Sequence, residues 1–383
     1  MSRIRSFIVL GTRPEAIKLA PVIREALQHP GVEPIVCSTG QHREMLQQVL
    51  DYFEIQPDVS LNLMKANQTL AGLTARLIES LQQTIEETNP DCVVAQGDTT
   101  TVMTAAMVAF YNRIPYVHVE AGLRTGDLQA PWPEEYNRRV AGITTGIHCA
   151  PTQGAADNLL KEGVPDSLVH VTGNTVIDAL LWTRDRERAG GEQWEAKYSH
   201  LKGKRVVLIT GHRRENFGDG FRNVCRALAD LAHAHPDTHF LYPVHLNPNV
   251  QKPVHEMLGG LDNIELTAPA CYPEFIWLMD KSYLIITDSG GVQEEAPSLG
   301  KPVLVTRSVT ERPEAVATGA VQLVGTSYDR VFGEANLLLT DEGAYKSRQI
   351  QKNPYGDGHA AKRTVQLIAD CAWEASTSQR KAA

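Results

Sequence analysis

Cysteine is sparse and scattered: six residues, at 37, 92, 149, 225, 271 and 371 of a 383-residue chain, none close to another. That spacing excludes a zinc knuckle and a disulfide framework, and it suits a reducing compartment. Aromatic residues make up only 6% and the five tryptophans are dispersed, so there is no stacking platform for single-stranded nucleic acid. Basic residues never run to five in a row, and 37 Lys and Arg are outnumbered by 45 Asp and Glu, a net charge of -8. Binding to a nucleic-acid backbone is therefore not expected, although a local basic pocket for phosphates is compatible with the composition. Apolar stretches such as Cys92-Val93-Val94-Ala95 fall far short of a membrane span. Near the N-terminus the apolar run is broken by Arg13-Pro14-Glu15 and no small-residue cleavage site follows, which reads as a first strand and not a signal peptide. The expectation is a cytoplasmic protein without a membrane association.

What is present is ample for folding. Hydrophobic residues are 42% of the chain and charged residues 21%, and the length suggests two domains at roughly 100–200 residues each. Short β-branched runs at Ser6–Leu10, Pro34–Ser38, Cys92–Ala95, Pro115–Val119, Ile147–Ala150 and Leu168–Val171 alternate with helical spacing at 15–27, 43–53, 69–88, 100–112, 135–144, 153–161 and 175–187. The charged, glycine-containing stretch Asp185–Lys204 interrupts the rhythm. It then restarts with strands at Arg205–Thr210, His239–Val244, Ile264–Thr267, Tyr283–Thr287, Pro302–Thr306 and Val321–Val324, with helices near 220–234, 249–258, 273–281 and 291–299 between them. The alternation predicts an α/β protein of two Rossmann-like, doubly wound domains: residues 1–190 and 200–360, with one more helix in the tail. Facing domains would turn the carboxyl ends of both sheets, where open α/β sheets bind ligands, onto one cleft.

Chemistry-bearing residues gather at predicted strand ends. After the first strand, Gly11-Thr12-Arg13-Pro14-Glu15-Ala16 lacks two of the three glycines of a dinucleotide fingerprint, and no P-loop motif occurs anywhere. Arg13 and Lys18 at that junction read equally as a phosphate site or as surface charge on a first helix. Thr287-Asp288-Ser289-Gly290-Gly291-Val292-Gln293-Glu294-Glu295 opens a helix after an apolar run; it reads as a diphosphate site with Glu295 toward ribose hydroxyls, or as an ordinary capped helix. Asp98, Glu120 and Glu134 stand at strand or helix ends in the first half. Capping or an ion pair with Arg124 would explain them locally, whereas convergence would raise at least one pKa, as a general acid or base needs. His212, between Gly211 and Arg213, sits on the equivalent loop of the second half. The histidines at 233, 235 and 239 have the wrong spacing for one helical face and read as solvated surface, so no metal site is expected.

With those segments in view, the chain resembles the non-hydrolysing UDP-N-acetylglucosamine 2-epimerases. The matching segments include GTRPEAIKLAPVI (11–23), TGQHREML (39–46), QGDTTT (96–101), HVEAGLRTGD (118–127), PWPEEYNRR (131–139), TGNTVIDALL (172–181), TGHRRENFGDG (210–220), YPVHLNPNV (242–250), TDSGGVQEEAPSLGKPVLVTR (287–307), TERPEA (310–315) and NPYGDG (353–358).

The resemblance implies a fold like that of B-type glycosyltransferases with the C-terminal helix (360–378) crossing back to the first domain, a homodimer, and interconversion of UDP-N-acetylglucosamine with UDP-N-acetylmannosamine without a cofactor. It implies anti elimination of UDP to 2-acetamidoglucal and syn re-addition, with product passing to bacterial surface polysaccharides. By the same resemblance Asp98, Glu120, Glu134 and His212 are catalytic. Arg13, Lys18, Phe275, Ser289, Gly290, Gly291, Glu295 and Arg312 bind the nucleotide, and Gln41, His42, Arg213 and His245 match a second, allosteric pocket for substrate. A glycosyltransferase using a UDP-sugar, a hydrolysing epimerase and a non-catalytic nucleotide-sugar sensor are the alternatives; a transferase would not require all three acids, and a sensor needs none.

Overall fold

A computed structural model describes residues 3–40, 43–65, 68–350 and 352–371. It divides into two units, one comprising the chain up to Ala179 together with the segment from Gly356, the other Leu180–Tyr355.

The first unit is built on seven parallel strands: β1 (Ile4–Leu10), β2 (Val32–Ser38), β3 (Val59–Ser60), β4 (Cys92–Gln96), β5 (Tyr116–Val119), β6 (Thr145–Ala150) and β7 (Val169–Val171). Their order is β3-β2-β1-β4-β5-β6-β7. Register runs from Ile4 opposite Val32 to Leu10 opposite Ser38, so β1 and β2 end level. Phe7, Ile8, Val9 and Leu10 are all fully buried, the run without alternation that a parallel sheet covered on both faces requires. The helix Thr100–Tyr111 is correspondingly apolar nearly all round, while Leu70–Thr88 buries a single stripe of Leu73, Leu77, Leu81 and Ile85. The last described helix, Ala360–Asp370, packs against the helix Arg13–Gln28. Its first turn is held by Asp178, whose carboxylate accepts from the amides of Ala360 and Ala361 at 3.2 and 2.9 Å. Residues beyond 371, into which the expected terminal helix extends, lie outside the described ones.

The second unit repeats the plan with β8 (Arg205–Thr210), β9 (Thr238–Pro243), β10 (Ile264–Thr267), β11 (Leu284–Thr287), β12 (Val303–Val305) and β13 (Val321–Leu323), ordered β10-β9-β8-β11-β12-β13 and all parallel. Its core is closed on one side by Phe221, Leu228 and Leu231 of the helix Asp219–Ala234 and by Val331, Ala335 and Leu338 of Tyr328–Thr340.

Strand order reverses direction between β1 and β4 in the first unit and between β8 and β11 in the second. Those two places are the switch points at which such sheets open a crevice beyond their carboxyl ends.

The division differs from the expected linker. The helix Thr175–Gly190 is continuous across it. The charged stretch that follows forms the helix Glu192–Lys197 and a turn, attached to the second unit by Arg188 on Asp280 (2.8 Å) and by Lys197 and Tyr198 on Glu274 (2.6 and 2.7 Å). Its charges are paired against a neighbour, which composition alone does not distinguish from a solvated linker.

Candidate active site

In the first unit the loop after β1 is a capping box. Thr12 caps the helix Arg13–Gln28, and Glu15 reaches back so that its Oε2 accepts from the amides of Gly11 (3.1 Å) and Thr12 (2.7 Å). The other oxygen of Glu15 accepts from the hydroxyl of Thr99, at 2.7 Å, on the loop after β4. One buried carboxylate thus fixes both loops of the switch point. Arg13, the next residue, is half-buried and has no hydrogen-bond partner among the described residues.

Glu120 ends β5 with φ +62°, a left-handed conformation costing a non-glycine residue roughly 1–3 kcal/mol. Its buried carboxylate accepts from Lys18 Nζ at 2.6 and 2.7 Å, from Asn174 Nδ2 at 2.9 Å and from Gln96 Nε2. Lys18 is therefore placed as the charge partner of Glu120. Arg124, the local partner considered from sequence, instead makes two 2.8 Å contacts to Glu162.

Asp98 lies just past β4 and pairs with Arg138 Nη2 at 2.5 Å. Its carboxyl is held above the usual range, chiefly by burial; Glu120 and Glu134 push it the same way, while Arg138 and Lys18 oppose. Mutual repulsion of the acids is real but secondary to desolvation. Thr99, not Asp98, caps the following helix. Glu134 opens the helix Glu134–Ile143, half-buried, one turn from Arg138, and without a hydrogen-bond partner among the described residues. Buried His118, pushed down to about 4 mainly by desolvation and hence neutral, donates from Nε2 to the carbonyl of Gly97 at 2.7 Å, steadying the turn that presents Asp98. Asp98, Glu120, Glu134, Lys18 and Arg138 thus form one mutually interacting set at the strand ends.

The second unit's switch point is organised around Asp288, fully buried after β11. Its Oδ2 accepts from the amides of His212 and Arg213, both at 2.8 Å, and from Asn216 Nδ2 at 3.4 Å. Its Oδ1 is buried without a hydrogen bond, 3.4 Å from His212 Nδ1. The His212 ring stacks on His245, centroids 5.4 Å apart. Burial lowers its pKa first; His245 and Arg213 lower it further, against Asp288. His245, exposed, accepts at Nδ1 from the amide of Asn247 at 3.1 Å.

Ser289 precedes the helix Gly290–Glu295, only six residues long, so the macrodipole expected there is short. Cationic side chains supply the positive field instead. A β-carbon on Gly290 would lie 3.8 Å from Arg213 Nη2 and 4.0 Å from the guanidinium carbon of Arg312, so both guanidinium groups flank this bare backbone. Glu294 anchors Arg312 through its Nε. Glu295 is buried, its Oε2 3.7 Å from where a β-carbon on Gly291 would stand. Phe275 is half-buried in the helix Tyr272–Lys281. Gln41 and His42 lie outside the described residues; their expected companions Arg213 and His245 are gathered around His212.

Residues 24–369 match the family model described as UDP-N-acetylglucosamine 2-epimerase. The chain belongs to that family. It is 53% identical over 367 residues to the UDP-N-acetylglucosamine 2-epimerase of Yersinia pestis, covering 94% of this chain and 97% of the relative. The crystal structure of UDP-GlcNAc 2-epimerase from Neisseria meningitidis bound to UDP-GlcNAc is 47% identical with a TM-score of 0.89, covering 96% of this chain and all of that one. The Methanocaldococcus jannaschii enzyme in complex with UDP-GlcNAc and UDP is 32% identical with a TM-score of 0.79, over 95% and 99% of the two chains. Membership brings the expected B-type glycosyltransferase fold of two parallel-sheet α/β domains. No helix among the described residues is long and apolar enough to cross a membrane.

For this epimerase family member, the sequence reading passed over Gln96, Asn174, Arg138, Asp288 and Asn216. Two left a signal: Gln96 is the polar end of an apolar strand, and Asn174 stands in the TGN turn after β7. Arg138 and Asn216 become meaningful only when a helix or turn brings them to an acid far off in sequence.

Proposed function

We propose that this chain is a non-hydrolysing UDP-N-acetylglucosamine 2-epimerase that interconverts UDP-N-acetylglucosamine and UDP-N-acetylmannosamine. The set Asp98–Glu120–Glu134 with Lys18 and Arg138 carries the reading, because a protein that only bound the nucleotide would have no use for three acids there. The hydrogen on carbon 2 of the sugar is weakly acidic. Its removal becomes feasible as the bond from carbon 1 to the diphosphate oxygen breaks and the electron pair leaves with UDP. A carboxylate takes the proton, and the double bond of 2-acetamidoglucal forms between carbons 1 and 2.

A second acid then protonates carbon 2 on the opposite face while the UDP oxygen re-forms its bond to carbon 1. Elimination is anti and re-addition syn. Atoms and oxidation state balance, so no redox cofactor is called for; only the carbon 2 hydrogen is exchanged. Asp98, whose carboxyl burial holds above the usual range, is suited to exchanging a proton. Glu120 is fixed in place by Lys18, Asn174 and Gln96. Glu134, with no competing hydrogen bond among the described residues, is available to the sugar. Leaving-group charge is met in the second unit by Arg312, Arg213 and His212 around Ser289 and Gly290, with Glu295 for the ribose and Phe275 beside the uracil; Arg13 adds a cation at the strand ends of the first unit. The reading further places the enzyme in the cytoplasm as a homodimer, its product supplied to surface polysaccharide synthesis. Exposed Phe110, Tyr111 and Ile143 offer an apolar surface for the partner subunit.

Turnover of UDP-N-acetylglucosamine in deuterium oxide, with no acceptor added, tests this. UDP-N-acetylmannosamine carrying deuterium at carbon 2 is the expected product. Free N-acetylmannosamine with UDP would indicate a hydrolase, and a requirement for an acceptor sugar a transferase.

A further inference from the structure

Away from these strand-end groups, the second unit carries a cluster that the epimerisation does not use. His239 on β9 and Glu265 on β10 project from one face of the sheet, because Glu265 pairs in register with Leu241, two residues on from His239. His200, in the turn Ser199–Leu201 that precedes β8, reaches the same point. Nε2 of His200 lies 2.7 Å, and Nε2 of His239 3.1 Å, from a single oxygen, Oε2 of Glu265. The ligand atoms of the three residues all fall within 4.8 Å of one another, and the two rings meet edge to face with centroids 5.7 Å apart. The sequence reading of 233, 235 and 239 as solvated surface holds for exposed His233 but not for His239, which is buried, while His235 bonds Asn336 at 2.9 Å.

We propose that His200, His239 and Glu265 form a binding site for a divalent transition-metal ion of the zinc class, with water completing the coordination. Two imidazoles and one carboxylate are the donors such ions prefer, whereas magnesium and calcium seek oxygen alone. In a tetrahedral site with bonds of about 2.0–2.1 Å, donor atoms stand roughly 3.3 Å apart. The two nitrogen-to-oxygen distances therefore need to widen only slightly. Glu265 and His200, with side chains 29% and 45% exposed, have the freedom to do so. Each ring exchanges its Nε2–H contact to the carboxylate for a bond to the metal and carries its proton on Nδ1. Lys204 lies within electrostatic reach of His239 and opposes a cation. Bound metal would tie the turn before β8 to the edge strand β10 and act as a staple for the second unit.

Zinc chloride titrated calorimetrically into full-length protein, freed of metal by a chelator, tests the site. A one-to-one binding event and a raised melting temperature are expected. His200→Ala, at an exposed turn, should weaken that event at least as much as loss of an outer-shell partner does, roughly 10–100-fold, without changing epimerisation. His200→Cys should keep zinc binding through its thiolate, and Lys204→Gln should tighten it. Absence of binding by wild-type protein, or equal zinc affinity in wild type, His200→Ala and Glu265→Gln, would overturn the proposal.

Discussion

The two units stitch their switch points with one buried carboxylate each, but in opposite senses. In the first, Glu15 follows β1, gathers the amides of its own loop and reaches across to Thr99 after β4. In the second, Asp288 follows β11 and gathers the amides of His212 and Arg213 on the loop after β8. Glu15 engages both its oxygens on protein donors and Asp288 one of them. Asp98, Glu120 and Glu134 of the first unit are met, among the described residues, by side chains or, at Glu134, by no hydrogen bond, and a side chain can move aside for a substrate where a loop amide cannot. A carboxylate at a strand end is thus either mortar or machinery, and its donors tell which.

The largest effect should come from treating a working acid as though it were mortar. Glu120→Gln preserves shape and can still accept from Asn174, but removes the negative charge that pairs with Lys18 and a carboxylate proposed to take part in proton transfer. Turnover should fall by roughly 10²–10⁴-fold, the range of general acid–base contributions, while UDP still binds and the fold is kept. Steady-state epimerisation with calorimetric UDP binding measures both. Undiminished turnover would move Glu120 into the class of Glu15 and break the distinction.

The mortar should fail differently. Glu15→Gln turns one accepting oxygen into a donor facing a donor, and Asp288→Asn removes the buried negative charge that holds the amides of His212 and Arg213, each costing about 1–3 kcal/mol of stability. Urea unfolding followed by circular dichroism should register both losses. Asp288→Asn should also weaken UDP binding, since the same carboxylate sets the His212–Arg213 loop, whereas Glu15→Gln should weaken turnover more than UDP binding. Unchanged stability in both variants would mean that the loops hold themselves.

Much of this was legible before any coordinates. The alternation of strands and helices gave both sheets because fully buried parallel strands are uninterrupted apolar runs, as in Phe7–Leu10. The helix Tyr328–Thr340 escaped although Val331, Ala335, Leu338 and Leu339 carry a helical stripe. The two-residue strand Val59–Ser60 left no stripe to read. At the site, acids at strand ends could be named, but not their partners. Lys18 and Glu120 are 102 residues apart, and only the order β1-β4-β5 makes them neighbours. Capping was the reverse case: Thr12-x-x-Glu15 is a local signature that assigns Glu15 to the backbone, but a loop read for its glycines and cations passed it over.

The smallest effect separates the units by proton. Burial, His245 and Arg213 keep His212 below the ordinary histidine value and so uncharged at neutral pH in the free protein, while buried Oδ1 of Asp288 waits 3.4 Å from its Nδ1 without a hydrogen bond. A diphosphate arriving beside Arg213 and Arg312 favours the imidazolium and raises that pKa. Binding then takes up a proton in the window between the free and the bound value. UDP-N-acetylglucosamine affinity should therefore rise as pH falls through that window, by at most about tenfold per unit for a single proton. The diphosphate diester does not itself titrate there, so the slope belongs to the protein. Calorimetry between pH 8 and about 6, near histidine's reference value, measures it. His212→Asn should flatten the slope and Asp98→Asn should leave it intact. A slope lost in Asp98→Asn instead would place the linked proton among the first unit's acids, and the nucleotide's charge would then be felt where the sugar chemistry is done.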